Sequence, residues 1–206
     1  LEFMTPAIKK YTGFIDKYIG DAVMALFPTS AEDAVLAAVE MNKQLAVYNS
    51  DEPTSGKDPV NMGVGIHIGQ LVLGTIGREL RMETTVISDT VNASARLENL
   101  NKTYKTNVLI SGAVRDELSP DIQSFCRLID RTQVKGKVEF LDVYEVYLTD
   151  DEPLAEAKSK SKKVLTSIVD SYYLGDIKAA KKRLGELEDD TKKDTVISFW
   201  KTRLKT

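Results

Sequence analysis

The chain has 206 residues, of which 42% are hydrophobic and 29% charged, and a formal net charge of −3. This composition is ordinary for a folded globular domain, and the negative charge argues against a protein that binds nucleic acid through general electrostatics. Cys126 is the only cysteine, which excludes an internal disulfide and a cysteine-based zinc site and indicates a reducing compartment. The sequence contains no signal peptide and no apolar run long enough to span a membrane.

The N-terminus predicts a short helix and a fragment boundary. Leu1-Glu2-Phe3, before Met4, resembles an expression-vector remnant, so the natural sequence begins almost directly at the first structural element. We therefore expect the chain to be a piece of a longer protein. Residues 5–11 read as the end of a helix that stops near Thr12-Gly13.

A β-hairpin is predicted over residues 14–27, with Gly20-Asp21 as its turn. Residues 22–27 are apolar on both faces, which is typical of a buried central strand. Asp16, Lys17 and Asp21 then need an explanation, because an unpaired buried charge is costly. One explanation is a solvent-facing hairpin tip with Lys17 paired to Asp16. The other is that Asp21 offers its carboxylate to Mg²⁺, which is often held by one or two carboxylates and substrate phosphates.

Helical spacing of apolar residues predicts a helix over residues 31–48. Alternating apolar residues and glycines over residues 60–73 predict a strand, a turn and a returning strand, with glycines marking close approach of another backbone. His67, the only histidine, lies in this apolar segment, and we favour a structural role for it.

The next helix carries two polar residues on one face. Residues 84–87 predict a strand, and Ser88-Asp89 cap a helix that runs to about residue 101. Asn92 and Arg96 lie four residues apart and therefore project together, beside the core face of that helix. A solvated surface is the ordinary interpretation of such a pair.

The remaining elements are a strand over residues 107–110, a short helix opened by Ser111, and a hairpin of residues 125–133 and 138–147. The basic turn 135–137 is either simply exposed or covers a polyphosphate. Residues 150–153 mark a boundary, after which three amphipathic helices follow. Helices this short must pack either on the main domain or on another chain.

Four segments together resemble the class III nucleotidyl cyclase catalytic domain, in wording closest to bacterial adenylyl cyclases. They are GFIDKYIGD at 13–21, the glycine-rich segment 65–77, TVISDTVNASARL at 85–97 and VKGK at 134–137. The resemblance covers residues 4 to about 148. It implies an α+β, ferredoxin-like fold, a head-to-tail homodimer with two composite sites, and conversion of ATP to 3′,5′-cyclic AMP with two Mg²⁺ or Mn²⁺ ions per complete site.

The resemblance also implies roles for individual residues. Asp21 matches a metal-binding aspartate, and Lys17 and Thr85 match the pair that reads the purine edge. A lysine donor and a threonine acceptor suit adenine, whereas guanine offers the opposite pattern. Asn92 matches the residue that orients the ribose, and Arg96 the one that stabilises charge on the reacting phosphate. Lys135 matches the lysine at the triphosphate, with Lys137 a weaker candidate.

The sequence departs from the family pattern at its beginning. The family's first metal aspartate lies on a first core strand, and no segment of that character precedes Lys9. We therefore expect a cyclase domain (4–149, after the remnant 1–3) that lacks its first strand, followed by a helical extension (150–206). A single carboxylate binds two divalent ions poorly, so low or no activity is expected. The missing strand would leave a sheet edge open to rearrangement or intermolecular pairing.

Other functions remain as alternatives to an adenylate cyclase. A regulatory pseudo-cyclase that binds nucleotide without turnover, or a guanylate cyclase, would share the same fold. A diguanylate cyclase would need a Gly-Gly-Asp/Glu-Glu-Phe signature, and an RNA-binding sheet would need exposed aromatic residues and a basic face. Neither pattern is present in the sequence. A cytoplasmic location is expected, either free or as the cytoplasmic part of a membrane-attached protein.

Overall fold

Helices separate groups of one to three strands along the described part of the chain, and three helices follow the last strand. The computed structural model describes residues 4–51, 59–76, 83–87, 89–133, 140–187 and 193–205. The strands are β1 Phe14–Ile19, β2 Ala22–Leu26, β3 Val64–Ile66, β4 Val72–Ile76, β5 Glu83–Ile87, β6 Val108–Ser111, β7 Cys126–Gln133 and β8 Phe140–Val146. The helices are α1 Met4–Lys10, α2 Ala31–Asp51, α3 Asp89–Tyr104, α4 Gly112–Asp116, α5 Pro120–Ser124, α6 Glu152–Tyr173, α7 Ile177–Gly185 and α8 Thr195–Arg203.

A four-stranded sheet with the order β3-β6-β8-β7 forms the centre of the protein. Its inner strand β6 alternates its side chains between two hydrophobic clusters, as a strand with a two-residue period must. Val108 and Ile110 face a cluster with α2 and α4, whereas Leu109 faces a cluster with α3 and the C-terminal helices. The sheet is therefore covered on both faces, in agreement with the predicted α+β fold.

The β1–β2 hairpin predicted at Gly20 is confirmed, because β1 and β2 pair in antiparallel fashion and Gly20 has a φ of 64°. The prediction that residues 22–27 form a buried central strand is wrong. Ala22 is exposed and Val23 to Phe27 are only half-buried. The physical reason is that, across the described ranges, β1 and β2 pair only with each other and form a two-stranded sheet. A strand becomes buried on both faces only when neighbouring strands and covering layers surround it.

The predicted strand-turn-strand over residues 60–73 is also wrong in its pairing. β3 pairs in parallel with β6, and β4 pairs in antiparallel fashion with β5. The glycine signal itself was informative: a Cβ on Gly65 would lie 2.2 Å from the backbone nitrogen of Glu98 in α3. β3 therefore packs directly against α3 and does not form half of a hairpin.

Of the three C-terminal helices, α6 and α8 contact the sheet, and α7 packs on α6. One hydrophobic cluster joins Ile129 and Val143 of the sheet and Leu97 of α3 to Leu165 of α6 and Trp200 of α8. Trp200 is fully buried, and its Nε1 donates a hydrogen bond of 2.8 Å to the backbone oxygen of Ile129. The boundary predicted between residues 149 and 150 stays a prediction, but the apolar core continues across it.

A buried ion network fastens α6 and α8 to the sheet. Arg127 of β7 is 0% exposed and makes a two-point contact with Asp194, the N-cap of α8, at 2.5 and 2.8 Å. Arg127 also donates to Glu145 at 2.7 Å, and Glu145 accepts from Lys158 of α6 at 2.7 Å. Lys158 in turn lies 2.5 Å from Asp150. Buried charges are tolerated only when paired and hydrogen-bonded in this way.

Replacing Gly65 by Ala should destabilise the protein by roughly 1–3 kcal/mol, the usual range for overpacking. The added Cβ would lie 2.2 Å from Glu98 N and 2.3 Å from Ser94 O, and these backbone atoms of α3 cannot move aside independently. Urea unfolding measures the change. Gly185→Ala is the control, since no atom lies within 4 Å of its added Cβ, and it should be neutral or slightly stabilising. Equal stability of the two variants would contradict this close packing.

Candidate active site

The β1–β2 hairpin carries two of the predicted site residues. Asp21 lies in the turn after Gly20 and is exposed to solvent. Lys17 lies on β1 with 32% of its side chain exposed, and its Nζ is 3.4 Å from Asp16 Oδ2. Asp16 sits at a register shift in the hairpin, and its carboxylate is only 6% exposed. The Lys17–Asp16 pair of the ordinary interpretation is therefore present, while Asp21 remains accessible to a ligand.

The helix α3 carries two more of these residues on one accessible strip. Asn92 is exposed and Arg96 is half-buried, one helical turn further along. Ala93 and Leu97, their neighbours in sequence, are buried at 3% and 0% exposure. The helix is thus anchored through its apolar face, and Asn92 and Arg96 lie beside that face, where they are accessible to solvent.

Of the two remaining predicted residues, one lies on a strand and the other lies outside the described residues. Thr85 lies on β5, directly opposite Gly74 on β4. Lys135 and its weaker alternative Lys137 lie outside the described residues, as does the predicted capping residue Ser88.

The structure brings the predicted residues together in two pairs. Lys17 and Asp21 share one hairpin, whose first strand packs on α1. Asn92 and Arg96 share α3, which packs on β3, β6 and α8. The two pairs are therefore carried by different elements of the described structure.

The donor set for a metal ion is small. Asp21 is an exposed carboxylate on a tight turn, which fits one oxygen ligand of Mg²⁺ or Mn²⁺. Among the described residues, no group of three or more His, Cys, Asp or Glu side chains is arranged to hold a metal. The residues therefore fit a shared metal site, completed by substrate phosphates and further carboxylates, rather than a cage built by the described residues alone.

The single histidine and the single cysteine both lie next to the central sheet. His67 Nδ1 lies 2.8 Å from Ser111 Oγ, at the matching ends of β3 and β6, and the structural role favoured for it stays a prediction. Cys126 is buried, and burial raises the pKa of its thiol to about 11. A thiol that is protonated at neutral pH is a poor nucleophile.

The sequence analysis did not identify Asn101, the residue that joins α3 to β3 by a hydrogen bond. Asn101 is 4% exposed, and its side-chain amide donates to the backbone oxygens of Val64 at 3.0 Å and Glu98 at 3.1 Å. Its Oδ1 accepts a hydrogen bond of 3.0 Å from Thr106. The available signal was an asparagine four residues after Leu97, on the helix face otherwise reserved for apolar side chains.

Residues 8–149 match the family described as the adenylate and guanylate cyclase catalytic domain. An adenylate cyclase of Anabaena cylindrica is 43% identical over 152 residues, which are 71% of this chain and 30% of that protein. The terminal-differentiation-specific adenylate cyclase of Dictyostelium discoideum is 41% identical over 154 residues, or 71% of this chain and 7% of that protein. The chain thus spans less than a third of each of these two relatives.

A solved structure shares the fold of the same region. The guanylyl cyclase Cya2 superimposes with a TM-score of 0.59 at 30% identity, covering 72% of this chain and 77% of that one. The match to the family ends at residue 149, so α6, α7 and α8 lie beyond it. The described part of the chain contains no helix with both the length and the apolar character needed to cross a membrane.

Proposed function

Because the chain belongs to the family of adenylate and guanylate cyclase catalytic domains, we propose that it is the catalytic domain of an adenylate cyclase, which converts ATP to 3′,5′-cyclic AMP and diphosphate. One structural observation carries the proposal: Asn92 and Arg96 lie one turn apart on the accessible strip of α3, a helix firmly seated through Ala93 and Leu97. Such a helix can hold two polar groups on a nucleotide without itself moving.

The proposed site is composite and lies between two copies of the chain. Lys17 and Asp21 of one subunit would face Asn92 and Arg96 of the other, in a head-to-tail homodimer with two sites. The separation of the two pairs onto different elements, each with its own neighbours, supports this arrangement. A monomer would then present only half of each site and should be inactive.

Each residue has a proposed part in the reaction. Lys17 would donate to N1 of adenine, and Thr85 would accept from the 6-amino group. Asn92 would orient the ribose so that its 3′-oxygen is in line with the α-phosphorus as the bond to diphosphate breaks. Arg96 would stabilise the charge that builds on the α-phosphate, where a fixed cation shielded from water has its largest effect. Lys135 would hold the triphosphate.

Asp21 is the proposed protein ligand for Mg²⁺ or Mn²⁺. When bound, the ions lower the pKa of the 3′-hydroxyl and offset the charge of the leaving diphosphate. Location in the cytoplasm, where ATP is available, is part of the proposal.

The proposal is tested by measuring product from Mn²⁺ with ATP or GTP. We expect the full-length natural protein to form cyclic AMP and to prefer ATP by at least about 100-fold, because a site built to pair with one purine edge leaves polar groups unpaired with the other. Among the described residues Asp21 is the one carboxylate assigned to the metals, so the 206-residue chain should turn over slowly or not at all.

The other outcomes of this assay point to the alternatives. A preference of the full-length protein for GTP would identify a guanylate cyclase. Nucleotide binding without product in the full-length protein would identify a regulatory pseudo-cyclase. Turnover by the 206-residue chain typical of a working enzyme would contradict the argument from metal ligands.

A further inference from the structure

The C-terminal end of α3 is held by helices that lie beyond the region matched to the family. Tyr104 is the last residue of α3 and is 4% exposed. Its backbone oxygen accepts a hydrogen bond of 2.7 Å from Oγ1 of Thr195, the first residue of α8. Its ring contacts that of Phe199 edge-to-face, with 4.9 Å between centroids. The helix with Asn92 and Arg96 therefore ends directly on α8.

The side chain of Tyr104 reaches a second anchor, Asp130 of β7. The Tyr104 hydroxyl donates to Asp130 Oδ2 at 2.5 Å, and Arg203 of α8 donates to the same oxygen at 2.7 Å. The Tyr173 hydroxyl of α6 shares its one proton between Asp130 Oδ1 at 2.9 Å and the backbone oxygen of Arg131 at 2.5 Å. Asp130 is 3% exposed, so α3, α6 and α8 converge on one buried carboxylate. A hydrogen bond to a buried charge is among the stronger kinds in proteins.

The surroundings keep this anchor intact at neutral pH. The Arg203 guanidinium lies 4.3 Å from the ring centre of Tyr172 and 5.0 Å from that of Trp200. Burial and the nearby Asp130 carboxylate raise the pKa of Tyr104 above its ordinary value and that of Tyr173 to about 12. Both hydroxyls therefore keep the protons that they donate.

A displacement of the C-terminal end of α3 would also move Asn92 and Arg96. Arg96 lies eight residues before Tyr104, about 12 Å along a helix that rises 1.5 Å per residue. Near its middle the helix rests on Gly65, whose missing Cβ leaves backbone against backbone. A helix pressed on such a point and released at one end can tilt, and a misplacement of about 1 Å in an active site can cost roughly 100-fold in rate.

We propose that the C-terminal helices position α3 for catalysis, with Tyr104 and Thr195 as positioning residues and Asp130 as the shared anchor. Neither side chain is assigned to the substrate; both act through the placement of Asn92 and Arg96. The inference rests on the proposed function, and its experiments are chosen so that the two can fail separately.

The first experiment uses the 206-residue chain and removes one hydroxyl. Tyr104→Phe should speed amide hydrogen exchange of residues 93–100 by at least about tenfold, because the bond to a buried carboxylate is lost. The amides of β6 should be unaffected. Tyr147→Phe is the matched control: Tyr147 is 2% exposed, and its hydroxyl donates to Ser124 at 3.0 Å, on α5. It should leave the exchange of α3 unchanged, and an equal effect of both variants on α3 would overturn the inference.

The second experiment uses the full-length protein as mixed dimers. A subunit with Asp21→Ala paired with a subunit with Arg96→Ala should regain one intact site of the two. The Asp21→Ala subunit supplies α3 to that site, and the Arg96→Ala subunit supplies the hairpin. Tyr104→Phe placed in the first subunit should lower kcat about tenfold and leave KM for ATP within about twofold, because Lys17 comes from the other subunit. Placed in the second subunit, it should leave kcat unchanged.

The arms of this experiment separate the two hypotheses. An inactive mixture of the Asp21→Ala and Arg96→Ala subunits would refute the composite site of the proposed function. An active mixture in which Tyr104→Phe has the same effect, or none, in either subunit would refute the positioning role of the C-terminal helices.

Discussion

Replacing Asp21 by Ala in the full-length protein should lower cyclic AMP formation by at least about 100-fold, because the loss of even an outer-shell partner of a metal commonly costs 10- to 100-fold. We expect kcat/KM to be lowered with either Mn²⁺ or Mg²⁺ as the metal ion. Asp21→Asn, which keeps the size of the side chain and removes its charge, should be nearly as inactive. Initial rates of cyclic AMP formation over a range of metal concentrations measure both variants.

The stability of the variants separates loss of a ligand from loss of folding. Asp21 is exposed in a turn, so both variants should unfold at the wild-type temperature. Glu117→Ala, which removes an exposed carboxylate at the end of α4, should keep full activity. Undiminished activity of Asp21→Ala would refute the assignment of Asp21 to the metal.

Replacing Asp194 by Asn should destabilise the protein by roughly 3–5 kcal/mol, the usual cost of breaking a buried ion pair from one side. Arg127 is fully buried, and Asp194 makes two hydrogen bonds to its guanidinium. Asparagine can still accept at the N-cap of α8, as Asp194 does from Val196 and Ile197, but it leaves the charge of Arg127 undercompensated. Urea unfolding at pH 7 gives the change in the free energy of unfolding.

A matched control makes the same substitution at a cap without a buried partner. Asp151 caps α6 at 2.9 Å from Leu154 N and is exposed, so Asp151→Asn should cost less than about 0.5 kcal/mol. An equally small loss for Asp194→Asn would show that the buried pair contributes little.

The cost of Asp194→Asn should depend on pH. Burial alone would raise the pKa of Asp194, but the hydrogen bonds and charge of Arg127 outweigh it and hold that pKa below its ordinary value. A carboxyl with a lowered pKa in the folded state stabilises the fold fully above the ordinary value, about 3.9, and loses this effect as the pH falls through the folded-state pKa. The difference between wild type and Asp194→Asn should therefore shrink below about pH 4.

Local patterns in the sequence were enough to predict many elements. Gly20-Asp21 predicted the first hairpin, Ala93 and Leu97 predicted the buried face of α3, and Ser111 predicted a helix that it caps by accepting from Val114 at 3.3 Å. Each of these signals depends on contacts within a few residues of chain, which is why a single sequence reveals them.

Pairings between distant segments were not predictable in the same way. Gly65 correctly indicated a close backbone approach, but nothing near it indicates that its strand pairs in parallel with β6, more than 40 residues later. Arg127 and Glu145 alternate with apolar residues in β7 and β8, which resembles an ordinary half-exposed strand. Their burial follows from the C-terminal helices, whose docking face the sequence left undecided.

In the candidate site, too, some residues could be predicted from the sequence and others could not. The resemblance assigned roles to Lys17, Asp21, Asn92 and Arg96, and the structure adds their accessibility and grouping into two pairs. Those roles stay predictions. Asn101 carried no motif, because its function is to seat α3 rather than to touch a ligand.

The continuous core has a practical consequence for anyone who wishes to express the domain matched to the family. Similarity alone would place its last residue at 149, where the match to the family ends. A recombinant protein that ends there would lose Trp200, which packs at Ile129, and Asp194, whose carboxylate neutralises Arg127. One face of the sheet would then expose apolar side chains and an unpaired charge to water. A recombinant protein that keeps this core intact therefore extends through Leu204, more than fifty residues past the end of the family match.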